Sequence, residues 1–292
     1  MNIDTLLPAV RKNILLKNHT SFRIGGPAEY FFEAENKDDL FVALKAAKTL
    51  DLPFFVFGGG SNLLVSDKGF KGLVIKILNN KYQLSGNQIK AEAGTVLANL
   101  VRASTNYGLS GLEWAFGIPG TVGGAVFGNA GSFGKSMKEL VKSVEVIDIK
   151  TLKFKTYNSK ECGFGYRESV FKKKNNLIVV SVILNLKKGN KSSIKKKIKE
   201  YSDLKKESQP LNLPSAGSVF KNPEGKYAAE LIEACGLKGK TIGRAKISEK
   251  HANFIVNLGG AKAEDVKKLI NLSKKSVKNK FSLSLREEIQ FL

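Results

Sequence analysis

The chain has few of the residues that mark disulfide-rich, metal-binding or membrane proteins. Its 292 residues include two cysteines, two histidines and one tryptophan. Cys162 and Cys235 lie far apart in sequence, which excludes a disulfide scaffold and favours buried thiols in a reducing compartment. Two histidines, His19 and His251, cannot form a metal site alone, so we predict no metal. The longest apolar stretch, residues 177–186, is interrupted by polar side chains and is too short to span a membrane.

The N-terminus lacks the apolar segment of a signal peptide, and we therefore predict a cytoplasmic protein. The composition, with 42% hydrophobic and 25% charged residues, is that of an ordinary globular protein. A length of 292 residues predicts about two domains of ~150 residues each.

Arginine is also scarce, although the net charge is +22. Only six of the 48 basic residues are arginines. The dense lysine runs, residues 172–174 and 195–199, contain no aromatic residue on which a base could stack. A compositional bias toward lysine explains this pattern, so we predict no nucleic-acid partner and keep a basic nucleic-acid-binding protein as an alternative. In a chain with this bias, an arginine indicates a site that requires a planar donor of two hydrogen bonds. Arg23 and Arg167 are therefore candidate functional residues.

The sequence predicts three consecutive regions of mixed helix and strand. For the first region we predict a helix over 38–50 capped by Asp38, and strands over 52–57 and 72–78. For the second we predict strands over 88–93 and 177–186 and a hairpin of 141–148 with 152–157. We also predict a helix through about Asn106 with Thr95 as its N-cap, and a lysine-rich helix over 192–206. For the third we predict a loop and strand over 215–220, helices over 227–234 and 264–278, and strands over 240–247, 252–257 and 282–291.

The segment Val56 to Leu64, with the sequence VFGGGSNLL, indicates a phosphate-binding loop. Consecutive glycines present several backbone N–H groups with no Cβ in the way, which suits phosphate oxygens. No Gly-Lys-Ser/Thr follows, so it is not a Walker A loop. Leu63 occupies the last glycine position of the Rossmann fingerprint, and the residues that follow favour a strand over a helix. A plain glycine turn is the alternative.

A second glycine-rich stretch, Ile118 to Gly134, has almost no side-chain bulk. Such a backbone fits against a flat ring system, and close packing of two backbone segments is the alternative interpretation. Three short segments hold candidate reactive groups. Arg167 lies beside a tyrosine in a predicted turn, and Ser218 follows a glycine on a loop. In the last predicted strand, alternation places Glu288 on the face opposite Glu287.

Several ordered motifs together resemble one family, the UDP-N-acetylenolpyruvoylglucosamine reductases (the MurB family). The likeness runs from about His19 to Glu288 and is closest to the shorter form, which lacks a substrate-capping tyrosine loop. The motifs are Ser21-Phe22-Arg23-Ile24-Gly25-Gly26, Gly58-Gly59-Gly60-Ser61-Asn62-Leu63-Leu64, Gly117-Ile118-Pro119-Gly120-Thr121-Val122-Gly123-Gly124-Ala125 with Asn129-Ala130-Gly131, Tyr166-Arg167-Glu168-Ser169, residues 214–222 and residues 250–257.

The resemblance implies an α+β protein with a two-subdomain FAD-binding fold of the vanillyl-alcohol-oxidase type and a small α+β substrate domain. The implied FAD-binding domain is residues 1–205, with subdomains of about 1–79 and 80–205, and the substrate-binding domain is 206–292. The implied reaction is the NADPH-dependent reduction of the enolpyruvyl ether of UDP-N-acetylglucosamine to UDP-N-acetylmuramate. This reaction belongs to peptidoglycan precursor synthesis and so serves cell-wall biogenesis, cell shape and cell division.

The resemblance also implies the site residues. Arg167 would hold the substrate carboxylate, Ser218 would donate a proton, and Glu288 would be protonated, with a raised pKa, to assist. Tyr166, Lys221 and Asn222 would contact the substrate. The implied FAD-binding residues are Arg23, Gly58, Gly59, Gly60, Ser61, Asn62, Leu63, Gly117, Ile118, Pro119, Gly120, Gly123, Gly124, Asn129, Ala130 and Gly131.

Three positions depart from the family pattern: Arg244 and Asn253 replace a frequent glycine, and Gln290 replaces a frequent arginine. These departures affect local contacts rather than the reaction. Another FAD oxidoreductase of the same fold is an alternative, but an oxidase forms no carbanion that Ser218 could protonate. We expect a monomer.

Overall fold

A computed structural model of the chain describes residues 2–292, which form two compact units. Unit 1 consists of the segment ending at Lys12 together with residues 30–59 and 72–203. Unit 2 consists of residues 13–29, 60–71 and 204–292. Each unit buries a hydrophobic core of its own.

The helices and strands follow the mixed order that the sequence predicts. The α-helices are α1 (Ile3–Leu6), α2 (Lys37–Thr49), α3 (Leu97–Asn106), α4 (Val122–Phe127), α5 (Val170–Lys173), α6 (Lys191–Ser208), α7 (Ala228–Ala234) and α8 (Ala263–Phe281). Short 3-10 helices span Leu16–His19, Glu113–Ala115 and Met137–Glu139. The strands are β1 (Arg11–Leu15), β2 (Pro27–Ala34), β3 (Phe54–Phe57), β4 (Leu63–Leu64), β5 (Phe70–Ile77), β6 (Tyr82–Ser85), β7 (Gln88–Glu92), β8 (Leu109–Ser110), β9 (Gly131–Ser132), β10 (Lys135–Ser136), β11 (Val141–Asp148), β12 (Lys153–Asn158), β13 (Leu177–Asn185), β14 (Lys187–Lys188), β15 (Ser215–Ser218), β16 (Thr241–Ile242), β17 (Ala245–Ile247), β18 (Phe254–Asn257) and β19 (Gln290–Phe291).

The largest sheet of unit 1 has the strand order β12-β11-β13-β7-β6 and is antiparallel throughout. The predicted hairpin of β11 and β12 is confirmed, with Val144 opposite Tyr157. β13 is the central strand, and its residues Val182 and Leu184 are almost completely buried. Because both of its faces are covered, its sequence is a nearly continuous apolar run.

A second sheet has the order β1-β2-β5-β3, and its β3–β5 pair is parallel, with Phe54 opposite Leu73. Helix α2 buries Leu40, Ala43, Leu44 and Ala47, the face that its periodicity predicts. The predicted cap is wrong. Asn36 caps this helix, because its Oδ1 accepts hydrogen bonds from the backbone nitrogens of Asp38 and Asp39.

Unit 2 contains a four-stranded antiparallel sheet in the order β15-β18-β17-β16, together with α7 and α8. Val266, Leu269 and Ile270 of α8 are buried in its core with Phe22 and Phe220. The short strands β4 and β19 pair in parallel, with Gln290 opposite Leu63.

Three other local predictions fail for physical reasons. Thr95 does not cap α3, because its Oγ1 donates to the oxygen of Lys81, and Val96 occupies the cap position. The predicted strand over 240–247 is a β16–β17 hairpin, turned at Gly243 with φ +56°. Of the predicted strand over 282–291, only Gln290–Phe291 is a strand, since Ser282 belongs to the left-handed end of α8 and Glu287 makes only an isolated bridge to Phe220.

The predicted boundary after residue 205 lies within α6 (Lys191–Ser208), the helix in which unit 1 also ends. Unit 2 additionally takes in residues 13–29 and 60–71. The functional boundaries of the two domains therefore stay a prediction. No helix in residues 2–292 is both long enough and apolar enough to cross a membrane.

Candidate active site

Close packing of two loops in unit 1 explains the first glycines of the predicted phosphate loop. A Cβ at Gly59 would lie 2.8 Å from Gly120 Cα, and a Cβ at Gly58 would lie 2.2 Å from Thr121 Oγ1. Real side chains do not tolerate such distances, so both glycines let the loop approach the start of α4. The two glycine-rich segments that the sequence singles out are thus in contact.

The remaining loop residues belong to unit 2. Gly60 has φ +61°, and a Cβ there would lie 2.3 Å from the oxygen of His19. The backbone nitrogen of Ser21 donates to the oxygen of Gly60 at 3.1 Å. Ser61 and Asn62 follow, and then Leu63 begins β4, as the sequence predicts for a strand rather than a helix.

The second glycine-rich stretch contains the short helix α4, which the sequence analysis missed. Gly123 faces Ala93, since a Cβ at Gly123 would lie 2.7 Å from the Cβ of Ala93. Gly124 and Gly128 lie one helical turn apart. Apart from chain neighbours and the helix backbone, the atom nearest to a Cβ built on Gly124 is Thr121 Oγ1 at 3.7 Å, and for Gly128 it is the oxygen of Gly124 at 3.6 Å. Protein packing therefore does not require glycine at these two positions, and they leave a bare strip that fits a flat ring. The other predicted cofactor residues of unit 1 lie along the same stretch, namely Gly117, Ile118, Pro119, Asn129, Ala130 and Gly131.

Arg167 is presented by a tight turn in unit 1. Gly165 and Glu168 exchange two backbone hydrogen bonds, of 3.0 and 3.2 Å, so that Tyr166 and Arg167 form the tip. Arg167 has φ +56°, and its Nη2 donates to the oxygen of Gly131 at 2.9 Å. Its guanidinium carbon lies 5.4 Å from the ring centre of Tyr166, which is half exposed. The guanidinium is therefore held at the end of the glycine-rich stretch.

Two buried polar side chains connect this turn to the same stretch. Asn129 donates from Nδ2 to the oxygen of Gly165 at 2.7 Å. Ser169 donates from Oγ to the oxygen of Phe127 at 2.7 Å. Sequence reasoning missed the role of Ser169, because neither bond is visible in a local pattern. The cofactor role predicted for Asn129 stays a prediction.

Ser218 lies at the end of β15 in unit 2, directly after Gly217, whose φ is +75°. Its backbone is fixed by its neighbour Val219, whose nitrogen donates to the oxygen of Asn253 at 2.8 Å. Ser218 is half-buried, so its side chain is partly accessible to a ligand.

The structure brings Glu288 next to Ser218. The backbone nitrogen of Glu288 donates to the oxygen of Val219 at 2.8 Å, so the two predicted reactive residues lie on neighbouring segments. The Glu287 carboxylate pairs with Lys274 Nζ of α8 at 2.7 Å. The opposite orientation of Glu288 stays a prediction.

The predicted substrate residues Lys221 and Asn222 continue from this segment. The Lys221 nitrogen donates to the oxygen of Arg286 at 2.9 Å, and Asn222 Oδ1 accepts from the nitrogen of Ala228 at 3.0 Å. Asn253 has a clear role: its amide accepts from the nitrogen of Phe220 and donates to the oxygen of the same residue. That departure from the family pattern braces the segment after Ser218.

Arg23 and Arg244 lie elsewhere in unit 2. Arg23 is exposed with φ +54°, and it lines a cavity of about 660 Å³ together with Gly259 and Gly260. None of the lining residues belongs to 58–62. Arg244 donates from Nε to the oxygen of Gly259 at 3.1 Å and so braces the rim of this cavity.

Neither Cys162 nor His251 is tuned for chemistry at neutral pH. Burial raises the pKa of the Cys162 thiol to about 12, which keeps it protonated and unreactive. Burial also lowers the pKa of His251, whose ring packs edge-on against Phe254 at 4.8 Å. The reactive groups left are a guanidinium, a hydroxyl and a carboxyl group, which suit charge stabilisation and proton transfer.

Known proteins match the chain over nearly its full length. The family models that match are the UDP-N-acetylenolpyruvoylglucosamine reductase C-terminal domain, over residues 209–292, and an FAD binding domain, over residues 28–151. The UDP-N-acetylenolpyruvoylglucosamine reductase of Caldanaerobacter subterraneus subsp. tengcongensis is 44% identical over 278 residues, which cover 95% of this chain and 91% of that protein. The protein of the same name from Anoxybacillus flavithermus is 42% identical over 287 residues, covering 97% and 94% of the two chains.

A solved structure gives the same result in three dimensions. The crystal structure of UDP-N-acetylenolpyruvylglucosamine reductase from Thermus caldophilus matches with a TM-score of 0.84 and 39% sequence identity. The match covers 97% of this chain and 99% of that one.

Proposed function

The chain belongs to the family of UDP-N-acetylenolpyruvoylglucosamine reductases, and we propose that Arg167, Ser218 and Glu288 carry the reaction. The protein is an FAD-containing, NADPH-dependent oxidoreductase of peptidoglycan precursor synthesis with an α+β fold. It reduces the enolpyruvyl ether of UDP-N-acetylglucosamine to UDP-N-acetylmuramate. The observation that carries our assignment of residues is the hydrogen bond from Glu288 to Val219, which puts the Glu288 segment beside Ser218.

The residues present in unit 1 fit FAD. The bare strip of Gly124 and Gly128 accepts a flat ring, and the backbone N–H groups of Gly58 and Gly59 suit a diphosphate. Ser61 and Asn62 add polar side chains to the same loop. When bound, FAD supplies the hydride that adds to the substrate double bond, and NADPH restores that hydride.

Arg167 stabilises negative charge on the substrate. After hydride addition to the terminal carbon, negative charge spreads from the adjacent carbon into its carboxylate. A guanidinium donates two parallel hydrogen bonds to a carboxylate, so Arg167 binds this group and stabilises the charge that grows there. Its position in a tight turn, with Nη2 on the oxygen of Gly131, limits the motion of the guanidinium.

Ser218 gives its proton to the carbanion-like carbon. A hydroxyl is a weak acid, but such a carbon is a base strong enough to accept that proton. Glu288 acts in its protonated form, since an ionised carboxylate would repel the growing negative charge. Tyr166, Lys221 and Asn222 contact the rest of the substrate. We further infer a monomer that acts in the cytoplasm and has no nucleic-acid partner.

The proposal is tested by separating the two half-reactions. Under anaerobic conditions, NADPH is mixed with the purified protein while flavin absorbance is followed, and the enolpyruvyl UDP-sugar is then added. We expect bleaching by NADPH and recovery of the absorbance by the UDP-sugar. Precipitation with acid should release the flavin into solution. A protein without flavin, or a reduced flavin that the UDP-sugar does not reoxidise, would contradict the proposal.

A further inference from the structure

Asn129 is a buried polar residue of unit 1, with 4% of its surface exposed. Its backbone is left-handed, with φ +43°, a conformation that asparagine tolerates better than most residues. Both ends of its side-chain amide are bound to backbone atoms. Nδ2 donates to the oxygen of Gly165 at 2.7 Å, and Oδ1 accepts from the nitrogen of Lys138 at 2.9 Å.

The bond to Gly165 reaches the base of the turn that presents Arg167. Gly165 closes that turn with Glu168 through two backbone bonds, so the position of Gly165 sets the position of the tip. The tip is then held from the other side, where Arg167 Nη2 donates to the oxygen of Gly131. Asn129 and Gly131 are two residues apart, so one short segment holds both the base and the tip of the turn.

A third bond follows the same spacing. Ser169, which is completely buried, donates from Oγ to the oxygen of Phe127 at 2.7 Å. Three alternate residues of one segment therefore hold the turn: Phe127 binds Ser169, Asn129 binds Gly165, and Gly131 binds Arg167. Both ends of the Asn129 amide thus contact backbone atoms, and its donor links this segment to the turn.

We propose that Asn129 is a positioning residue that sets the orientation of Arg167 toward the substrate carboxylate. The inference rests on the proposed role of Arg167. A guanidinium binds a carboxylate with two parallel bonds, and this geometry fails when the donor is displaced by a fraction of an ångström. Loss of the Asn129–Gly165 bond frees the base of the turn and so weakens recognition of that one group.

The test compares two ligands that differ in the carboxylate. UDP-N-acetylmuramate carries the lactyl carboxylate, and UDP-N-acetylglucosamine lacks it. The dissociation constants of both are measured by titration calorimetry on the FAD-loaded enzyme at pH 8. We expect the wild-type enzyme to prefer the carboxylate-bearing ligand by about 10- to 100-fold, the usual contribution of hydrogen bonds to a charged group. Arg167→Ala should abolish most of that preference.

The decisive variant is Asn129→Asp. It keeps the size and the acceptor for the Lys138 nitrogen, but its ionised carboxylate cannot donate to the oxygen of Gly165. The preference should fall by about 2- to 100-fold, the range for coupled residues of one hydrogen-bond network. In the Arg167→Ala background the same change should alter the preference by less than about twofold, as for independent sites.

Asn79→Asp is the matched control. Asn79 is buried in unit 1, its Nδ2 donates to the oxygen of Val180, and its Oδ1 accepts from the nitrogen of Gly94. This variant should keep the wild-type preference even if it lowers the melting temperature. Should Asn129→Asp fail to fold, Asn129→Gly preserves the left-handed backbone and also lacks the donor, and the same fall is expected.

Two results would overturn the proposal while the proposed role of Arg167 still holds. The first is that Asn129→Asp keeps the wild-type preference for the carboxylate-bearing ligand while Arg167→Ala loses that preference. This result would leave the proposed function intact. The second is an equal fall in both backgrounds, which means that Asn129 does not act through Arg167. If the wild-type enzyme itself shows no preference, the proposed role of Arg167 fails, and this inference fails with it.

Discussion

Asn62 donates a hydrogen bond from Nδ2 to the backbone oxygen of Glu288 at 3.1 Å, although 226 positions separate the two residues. The backbone nitrogen of Gln290 donates to the oxygen of Asn62 at 2.9 Å and continues the contact into the β4–β19 pair. A residue of the proposed diphosphate loop thus also fixes the segment that carries the proposed catalytic carboxyl group. Changes at Asn62 should therefore affect both cofactor binding and stability.

Asn62→Asp should weaken FAD binding by about tenfold and lower the melting temperature. The introduced carboxylate faces the oxygen of Glu288 without a donor and repels the diphosphate, and tenfold is the order of one lost charged hydrogen bond. FAD titration of the flavin-free protein and thermal melting measure the two effects. Asn87→Asp is the control, since Asn87 donates to the oxygen of Leu186 at the same distance of 3.1 Å. Equal FAD affinity in the two variants would count against this role of Asn62.

Gly124→Leu should leave the flavin-free protein folded and abolish flavin retention. A Cβ at this position meets only Thr121 Oγ1 at 3.7 Å, and leucine is favoured over glycine in a helix by up to about 1 kcal/mol. Its side chain would cover the bare strip on which the ring lies. Flavin absorbance after purification, together with circular dichroism, measures both properties.

Gly123→Ala provides the opposite case for comparison. A Cβ there would lie 2.7 Å from the Cβ of Ala93, so this variant should have a lower melting temperature than wild type. Its flavin retention should fall less than that of Gly124→Leu. A yellow Gly124→Leu protein would show that the strip does not hold the flavin.

Ser218→Ala should affect only the second half-reaction. Reduction of the flavin by NADPH delivers no proton to carbon, whereas reduction of the enolpyruvyl group does. Bleaching by NADPH should stay close to the wild-type rate, while reoxidation should slow by ~10²–10⁴, the usual contribution of a positioned general acid. Arg167→Ala should slow the same step by ~10²–10³ through loss of charge stabilisation.

Stopped-flow absorbance of each half-reaction separates these effects. Equal slowing of both halves in Ser218→Ala would indicate a role in flavin positioning, and normal reoxidation would mean that another group delivers the proton.

Lys205→Met should stabilise the protein at neutral pH. Lys205 is 4% exposed, and burial lowers its pKa from 10.5 to about 8. Between pH 8 and 10.5 the unfolded chain binds more protons at this residue than the folded chain does. The free-energy cost of burying the charged ammonium is therefore full below pH 8 and decreases as the pH rises. The advantage of the variant over wild type should shrink across this window by up to about 3 kcal/mol. Chemical denaturation of both proteins from pH 7 to 10.5 measures the difference.

Lys206→Met, at the exposed neighbouring position of the same helix, is the control. A constant difference between Lys205→Met and wild type across the window would contradict the prediction.

The sequence by itself determined the elements that depend on local patterns. The apolar face of α2, the β11–β12 hairpin and the buried strand β13 follow from periodicity, which the backbone geometry of helix and strand imposes. The ordered motifs around Gly58, Arg167 and Ser218 were sufficient to identify the family. Helix ends were predicted less well, because the choice between Asn36 and Asp38 as a cap depends on the path of the preceding chain.

Only the tertiary structure decided what each site residue contacts. Position 59 requires glycine because a Cβ there would clash with Gly120, 61 residues away, whereas position 124 has room for a Cβ. The sequence shows the same residue type at both positions and cannot distinguish them. The sequence did not predict the hydrogen bond from the Asn129 amide to the oxygen of Gly165, 36 residues away. These contacts join residues that are distant along the chain, so they cannot be predicted from patterns among neighbouring residues.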